Sequence, residues 1–200
     1  MKSKIFIFLW FSQLIFAQTQ NVISNSFEYG IVIESSFLLN TEKELSLNNM
    51  SLQNEKSTLE FYPLSFYLTG AFFLNENIGI ELKPGWVLGG DKFSAFEIGM
   101  FLKNYFWKKK LLGKIGANFH KNISDAHGTF ESTDKSVLLI GLILGYKPIS
   151  ILTLTLSYYR PLSEYFYFGY GSLNNGSLNS NVESNTFLNQ IFKLGVEIKL

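Results

Sequence analysis

Few residues of this chain have types and spacing that could do chemistry. His120 is followed closely by Ser124 and Asp125, the residue types of a hydrolytic or acyl-transfer centre, where an imidazole takes a hydroxyl proton and a carboxylate orients the ring. A lone inward histidine is more often structural, so no catalytic residue is assigned and the chain is read as non-enzymatic. Ten other charges, Glu28, Glu34, Glu81, Lys83, Glu97, Lys103, Lys114, Lys193, Glu197 and Lys199, share one face of their segments. Enclosed together, they either form a proton or solute path or neutralise one another in a packed network, and the network is the favoured reading. Arg160, the only arginine, offers a fork of donors suited to phosphate, or serves as a snorkelling side chain at an interface. Tyr165, Tyr167 and Tyr170 stand in an aromatic stretch rich in Gly, Ser and Asn, a composition that makes adaptable contact surfaces. Cysteine is absent, which excludes a disulfide framework, a thiolate metal site and a Cys nucleophile together. No metal or cofactor is expected.

The elements that position these residues share one rule, stated most plainly by residues 191–200. Phe192, Leu194, Val196, Ile198 and Leu200 are apolar, and Lys193, Gly195, Glu197 and Lys199 between them are charged or lack a side chain. That is the period of a strand with two unlike faces. It recurs over residues 27–34, 61–73, 78–88, 96–106, 111–120, 138–147 and 152–159. Pro63 cannot donate to a ladder, so a bulge or frayed end is expected there. Residues 40–57, 122–134 and 161–186 are polar and read as long loops, whereas 74–77, 89–91, 107–110 and 148–150 read as short turns. Eight strands, each joined to the next in sequence, describe an all-β, antiparallel up-and-down barrel.

The apolar face points either inward, as in a soluble lipocalin-like ligand binder, or outward into lipid. Loop asymmetry favours lipid, because membrane barrels have short turns at one end and long loops at the other. Strand directions assigned from that asymmetry put Tyr29, Phe106 and Tyr146 near the short-turn end of the apolar face. Trp86, Phe96, Phe119, Tyr158 and Phe192 fall near the long-loop end, with aliphatics between. Two aromatic girdles around an aliphatic band are what the two interfaces of a bilayer select. The opposite face mixes charges with glycines, as a narrow closed interior requires. Residues 1–17 carry Lys2 and Lys4, a short apolar core and Ala17, which together read as a signal peptide, leaving 18–200 as the transmembrane barrel domain. A net charge of +1 over 200 residues gives no case for nucleic acid.

With its Phe16-Ala17-Gln18 signal end, glycine-interrupted strands such as Ile78-Gly79-Ile80 and 142–147, and the 193–200 segment, the chain resembles the small eight-stranded barrels of Gram-negative outer membranes. The resemblance is to the porin-like, OmpA-like "outer membrane protein beta-barrel domain" type of Bacteroidetes. It covers the whole mature chain as a pattern rather than a unique motif, and Leu200 stands where the family usually ends in an aromatic residue. The resemblance implies a location in the outer membrane and three partners: its lipid and lipopolysaccharide, the barrel-assembly machinery, and an extracellular partner of the loops. It implies a structural or adhesion-like surface role, with a narrow porin-like channel as the alternative. Barrels that modify lipid A are the enzymatic alternative, but their deacylases carry Ser two residues after His, and Asn122 stands there. Arg160 falls at the height of lipopolysaccharide phosphates.

Overall fold

The computed structural model describes residues 26–46, 51–89, 94–123, 136–162, 165–171 and 182–200. The proposed signal peptide, most of the 122–134 segment, and Ser124 and Asp125 lie outside the described residues. The strands are β1 (Phe27–Ser46), β2 (Ser51–Phe73), β3 (Ile78–Leu88), β4 (Ala95–Phe106), β5 (Leu111–Asn122), β6 (Ser136–Ile149), β7 (Leu152–Pro161), β8 (Tyr165–Gly171) and β9 (Val182–Lys199). Antiparallel neighbours run β1 to β7 in sequence order and then to β9, and β9 pairs back with β1. β7 takes the 191–198 stretch of β9 and β8 takes 182–188, so β8 continues the line of β7. The nine segments therefore build a closed wall of eight strands.

The alternation read from the sequence sets which side chains point where. Along β6, Val137, Leu139, Gly141, Ile143 and Gly145 are buried, while Leu138, Ile140, Leu142, Leu144 and Tyr146 are exposed. The exposed set also includes Leu68, Leu82, Met100, Ile115, Leu156 and Leu194 from the other strands. A water-facing sheet surface would be covered with polar groups. This one is an aliphatic band, and closing the wall pairs the backbone that hydrocarbon would leave unsatisfied. The inverted, lipocalin-like reading does not describe this molecule.

Prolines mark two local breaks. Glu34 pairs with Ser65 and Ser36 with Tyr62, so Ser35 faces two residues of β2, and its Oγ donates to the Pro63 carbonyl at 2.8 Å. This is the irregularity expected at Pro63, which has no N–H to offer. Pro84 breaks the β2–β3 ladder between the Tyr67–Gly85 and Gly70–Leu82 pairs without shifting the register.

Two expected loops need correction. The 40–57 segment is mostly strand, for β1 and β2 pair in register from Asn40 opposite Thr58 to Glu44 opposite Asn54 and, after a one-residue shift, on to Ser46 opposite Ser51. The 161–186 segment likewise contains β8 and the start of β9, paired from Tyr165–Leu188 to Gly171–Val182. Both stretches lie above the apolar band. With water on both faces, a strand needs no apolar alternation, and the sequence signal for it disappears. The 74–77 and 107–110 turns are short, as expected.

Candidate functional site: a cross-braced, capped lumen

The interior is a stack of apolar and charged layers. Nearest the long-loop end lie Leu38, Val87, Ala95, Val137, Leu139 and Ile191, all buried in one apolar cluster with Tyr67, Phe101 and Tyr159. At the short-turn end Ala71, Phe73, Tyr105 and Leu112 form a second cluster, with the Phe73 and Tyr105 rings stacked at 5.7 Å. Charged side chains occupy the space between, in two groups.

The upper group is built on Glu97 of β4. Its carboxylate accepts from Tyr67 Oη at 2.7 Å, Asn118 Nδ2 at 2.6 Å and Lys193 Nζ at 2.9 Å, and stands 2.8 Å from His120 Nδ1. Lys193 also donates to Tyr67 Oη at 2.6 Å, and Lys83 pairs with Glu34 at 2.7 Å while lying 4.2 Å from the centre of the Tyr67 ring. The lower group joins three strands of one side to those of the other. Lys103 pairs with Glu81 at 3.0 Å and Glu197 at 3.1 Å, and Lys114 with the same two carboxylates at 2.6 and 2.8 Å. Glu28 closes the group through Lys199 at 2.5 Å and Tyr105 Oη at 2.9 Å. The structure thus brings together all ten charges singled out in the sequence. The ten are five carboxylates and five ammonium groups, each paired with an opposite charge, and Lys147 adds a further cation at the short-turn mouth.

Sequence reasoning missed Tyr67, Tyr105, Tyr159 and Asn118 as members of this assembly. The signal was present in their inward parity, but polarity alone did not distinguish a bridging tyrosine from a filler. Two of these rings also depend on glycines: a Cβ on Gly85 would run into the Tyr67 ring, and one on Gly141 into the Tyr159 ring. A small cavity of about 10 Å³ at the short-turn mouth is lined by Glu28, Lys103, Tyr105, Lys147 and Lys199 among others, room for about one water molecule.

Chemically, this arrangement stiffens the barrel and fills it. His120 is fully buried inside the barrel against Glu97, level with Val137 of the apolar cluster. No group of three or more His, Asp or Glu among the described residues is placed to hold a metal.

The girdle residues Tyr29, Trp86, Phe119, Tyr146 and Phe192 are exposed on the outer surface, and Phe96, Phe106 and Tyr158 are partly exposed. Trp86 meets Phe96 edge-on at 5.4 Å, and Tyr158 lies 5.2 Å from Phe192. Arg160 is exposed near the long-loop end of β7, opposite Ile140. Tyr165, Tyr167 and Tyr170 lie on β8, but their side chains are outside the described residues.

No family model matches the chain, and no curated protein does. Among solved structures, the chain is similar to the outer membrane protein OprG of Pseudomonas aeruginosa, with a TM-score of 0.56 at 12% identity over 89% of this chain and 97% of that one. Outer membrane protein AlkL follows with a TM-score of 0.46 at 14% identity, covering 91% and 94%. Ail, the attachment invasion locus protein of Yersinia pestis, gives 0.36 at 17% identity, covering 88% and 99%. At these identities the likeness to OprG speaks for the fold. The chain is an eight-stranded antiparallel barrel of the outer-membrane type, with its aliphatic band turned to lipid and its lumen filled.

Proposed function

We propose that this protein is a non-enzymatic surface barrel that acts through the strands standing above the membrane, in a structural or adhesion-like role. The observation that carries the reading is the contrast between a filled lumen and a raised, one-sided wall. β8, the start of β9, the end of β1 and the start of β2 are hydrogen-bonded side by side beyond the apolar band, whereas β3 and β4 stop at Leu88 and Ala95. A rigid sheet holds a contact surface at lower entropic cost than a mobile loop. Tyr165, Tyr167 and Tyr170 on β8 are the proposed contact residues. In this reading Arg160 meets a lipopolysaccharide phosphate, and the barrel-assembly machinery inserts the chain in the manner of the OmpA-like barrels of Bacteroidetes.

The test is to replace residues 41–57 with Asn-Gly, a two-residue hairpin turn compatible with strand twist. Cells displaying the shortened barrel should lose adherence to polystyrene and to one another, while the protein still migrates faster unboiled than boiled. Unchanged adherence would remove the β1–β2 part of the raised wall from the function. The channel alternative makes the opposite demand, since single-channel steps in planar bilayers from the unaltered protein would mean that the cap and the ion network open.

A further inference from the structure

The β4–β5 turn holds a conformation that its residues disfavour. Trp107, Lys108 and Lys109 all have positive φ, at 45°, 55° and 62°. That left-handed region crowds any residue bearing a Cβ, and glycine or asparagine is the usual occupant. The neighbouring 74–77 turn has no residue in that region and closes through its side chain instead, with Asn75 Oδ1 accepting from the backbone N–H groups of Asn77 and Ile78 at 2.9 and 2.8 Å. Strain retained beneath three large side chains indicates that the side chains themselves are needed.

Their position says for what. The turn follows Phe106, the last lipid-facing aromatic of β4, so it stands at headgroup height just beyond the apolar band. Trp107 is 68% exposed, and Lys108, Lys109 and Lys110 are exposed beside it. Among the described residues none of the three lysines is in an ion pair, unlike the lysines of the lumen. Lys147 of β6 touches the turn through its backbone alone, its N–H donating to the Lys110 carbonyl at 2.8 Å, while its ammonium lies 5.5 Å from the Tyr105 ring at the lumen mouth. The nearby acids are Glu76, on the adjacent turn, and Glu28, which Lys199 already holds.

We propose that this turn is a docking site for anionic phospholipid headgroups of the leaflet at the short-turn end. The Trp107 indole lies in the interface, and the lysine ammonium groups meet lipid phosphodiesters. A zwitterionic headgroup carries its own ammonium and competes poorly. The proposal rests on the lipid-facing band and is independent of the raised wall.

The experiment is native mass spectrometry of the full barrel in detergent, titrated with phosphatidylglycerol or phosphatidylcholine. The unaltered protein should retain phosphatidylglycerol with at least about tenfold preference, weakening as salt rises. Lys108→Asn with Lys109→Asn should abolish the preference while heat modifiability persists, because asparagine tolerates the left-handed backbone. Lys108→Arg with Lys109→Arg should keep it. Equal retention of the two lipids would overturn the proposal, as would a preference that survives the asparagine pair. Displacement of the lipid by soluble glycerophosphoglycerol at equal concentration would also overturn it, showing a free-anion site instead of a lipid surface.

Discussion

Glu97 and Lys193 meet at 2.9 Å across the full width of the barrel, one from β4 and the other from β9, which stand four places apart in a wall of eight. Both side chains are fully enclosed, so each is the other's compensation for lost water. Removing one partner of such a pair costs about 3–5 kcal/mol, because the survivor remains buried and charged. Glu97→Gln keeps an acceptor for Tyr67 and Asn118 but leaves Lys193 with the longer 4.0 Å pair to Glu34. Its urea unfolding in lipid vesicles should show that loss, and Glu97→Gln with Lys193→Met should cost clearly less than the two single changes added together. Simple additivity would mean that the brace is not coupled.

Tyr159 and Gly141 make a second relationship that mutation can separate. The ring lies over a position where a Cβ would collide with it. Gly141→Ala should therefore destabilise the barrel by about 1–3 kcal/mol through overpacking. In a Tyr159→Ala background the same change should cost little, since the colliding ring is gone. Thermal melts of the four proteins in one detergent would check this, and an equal penalty in both backgrounds would move the strain elsewhere.

How much of this could be read beforehand depended on whether a residue faced hydrocarbon. Where one face must be apolar and the other must fit a narrow lumen, each residue's type reports its side. The parity of Leu142 against Gly141, or of Phe192 against Lys193, was therefore legible. Lumen charges were legible as a set for the same reason. Their partners were not, because Glu97 and Lys193 are separated by 96 positions and only barrel closure at a particular stagger brings them together. The 41–46 and 51–57 strands were invisible because water on both faces removes the contrast on which periodicity depends.

The outward band sets a depth-dependent penalty. Leu142 sits in the middle of the exposed face of β6, between Leu138 and Tyr146. Leu142→Lys should cost about 2–4 kcal/mol, whereas the same charge at Leu138, nearer the long-loop interface, should cost about 0–1 kcal/mol. Refolding yields into vesicles, compared by the heat-shifted gel band, would rank the two. A larger loss at Leu138 would place the band's midplane nearer that end of the barrel.

The extension of β1 and β2 above the band makes the last prediction. Glu42 stands opposite Lys56 and Lys43 opposite Glu55, so opposite charges face each other along the raised hairpin. Lys43 also lies 5.1 Å from the centre of the Phe187 ring on the β9 side. Cross-strand pairs of this kind contribute roughly 0.2–1 kcal/mol each, enough in sum to hold a ladder that already grows from a rigid barrel. Backbone amides of residues 41–44 should exchange with deuterium much more slowly than those of a loop, and about as slowly as their partners at 54–57. Reversing one pair with Lys56→Glu should speed exchange at both positions 42 and 56 and leave residues 30–34 in the membrane unchanged. Loop-like exchange throughout 41–57 in the unaltered protein would mean that the wall is not a fixed surface, and the proposed function would lose its carrier.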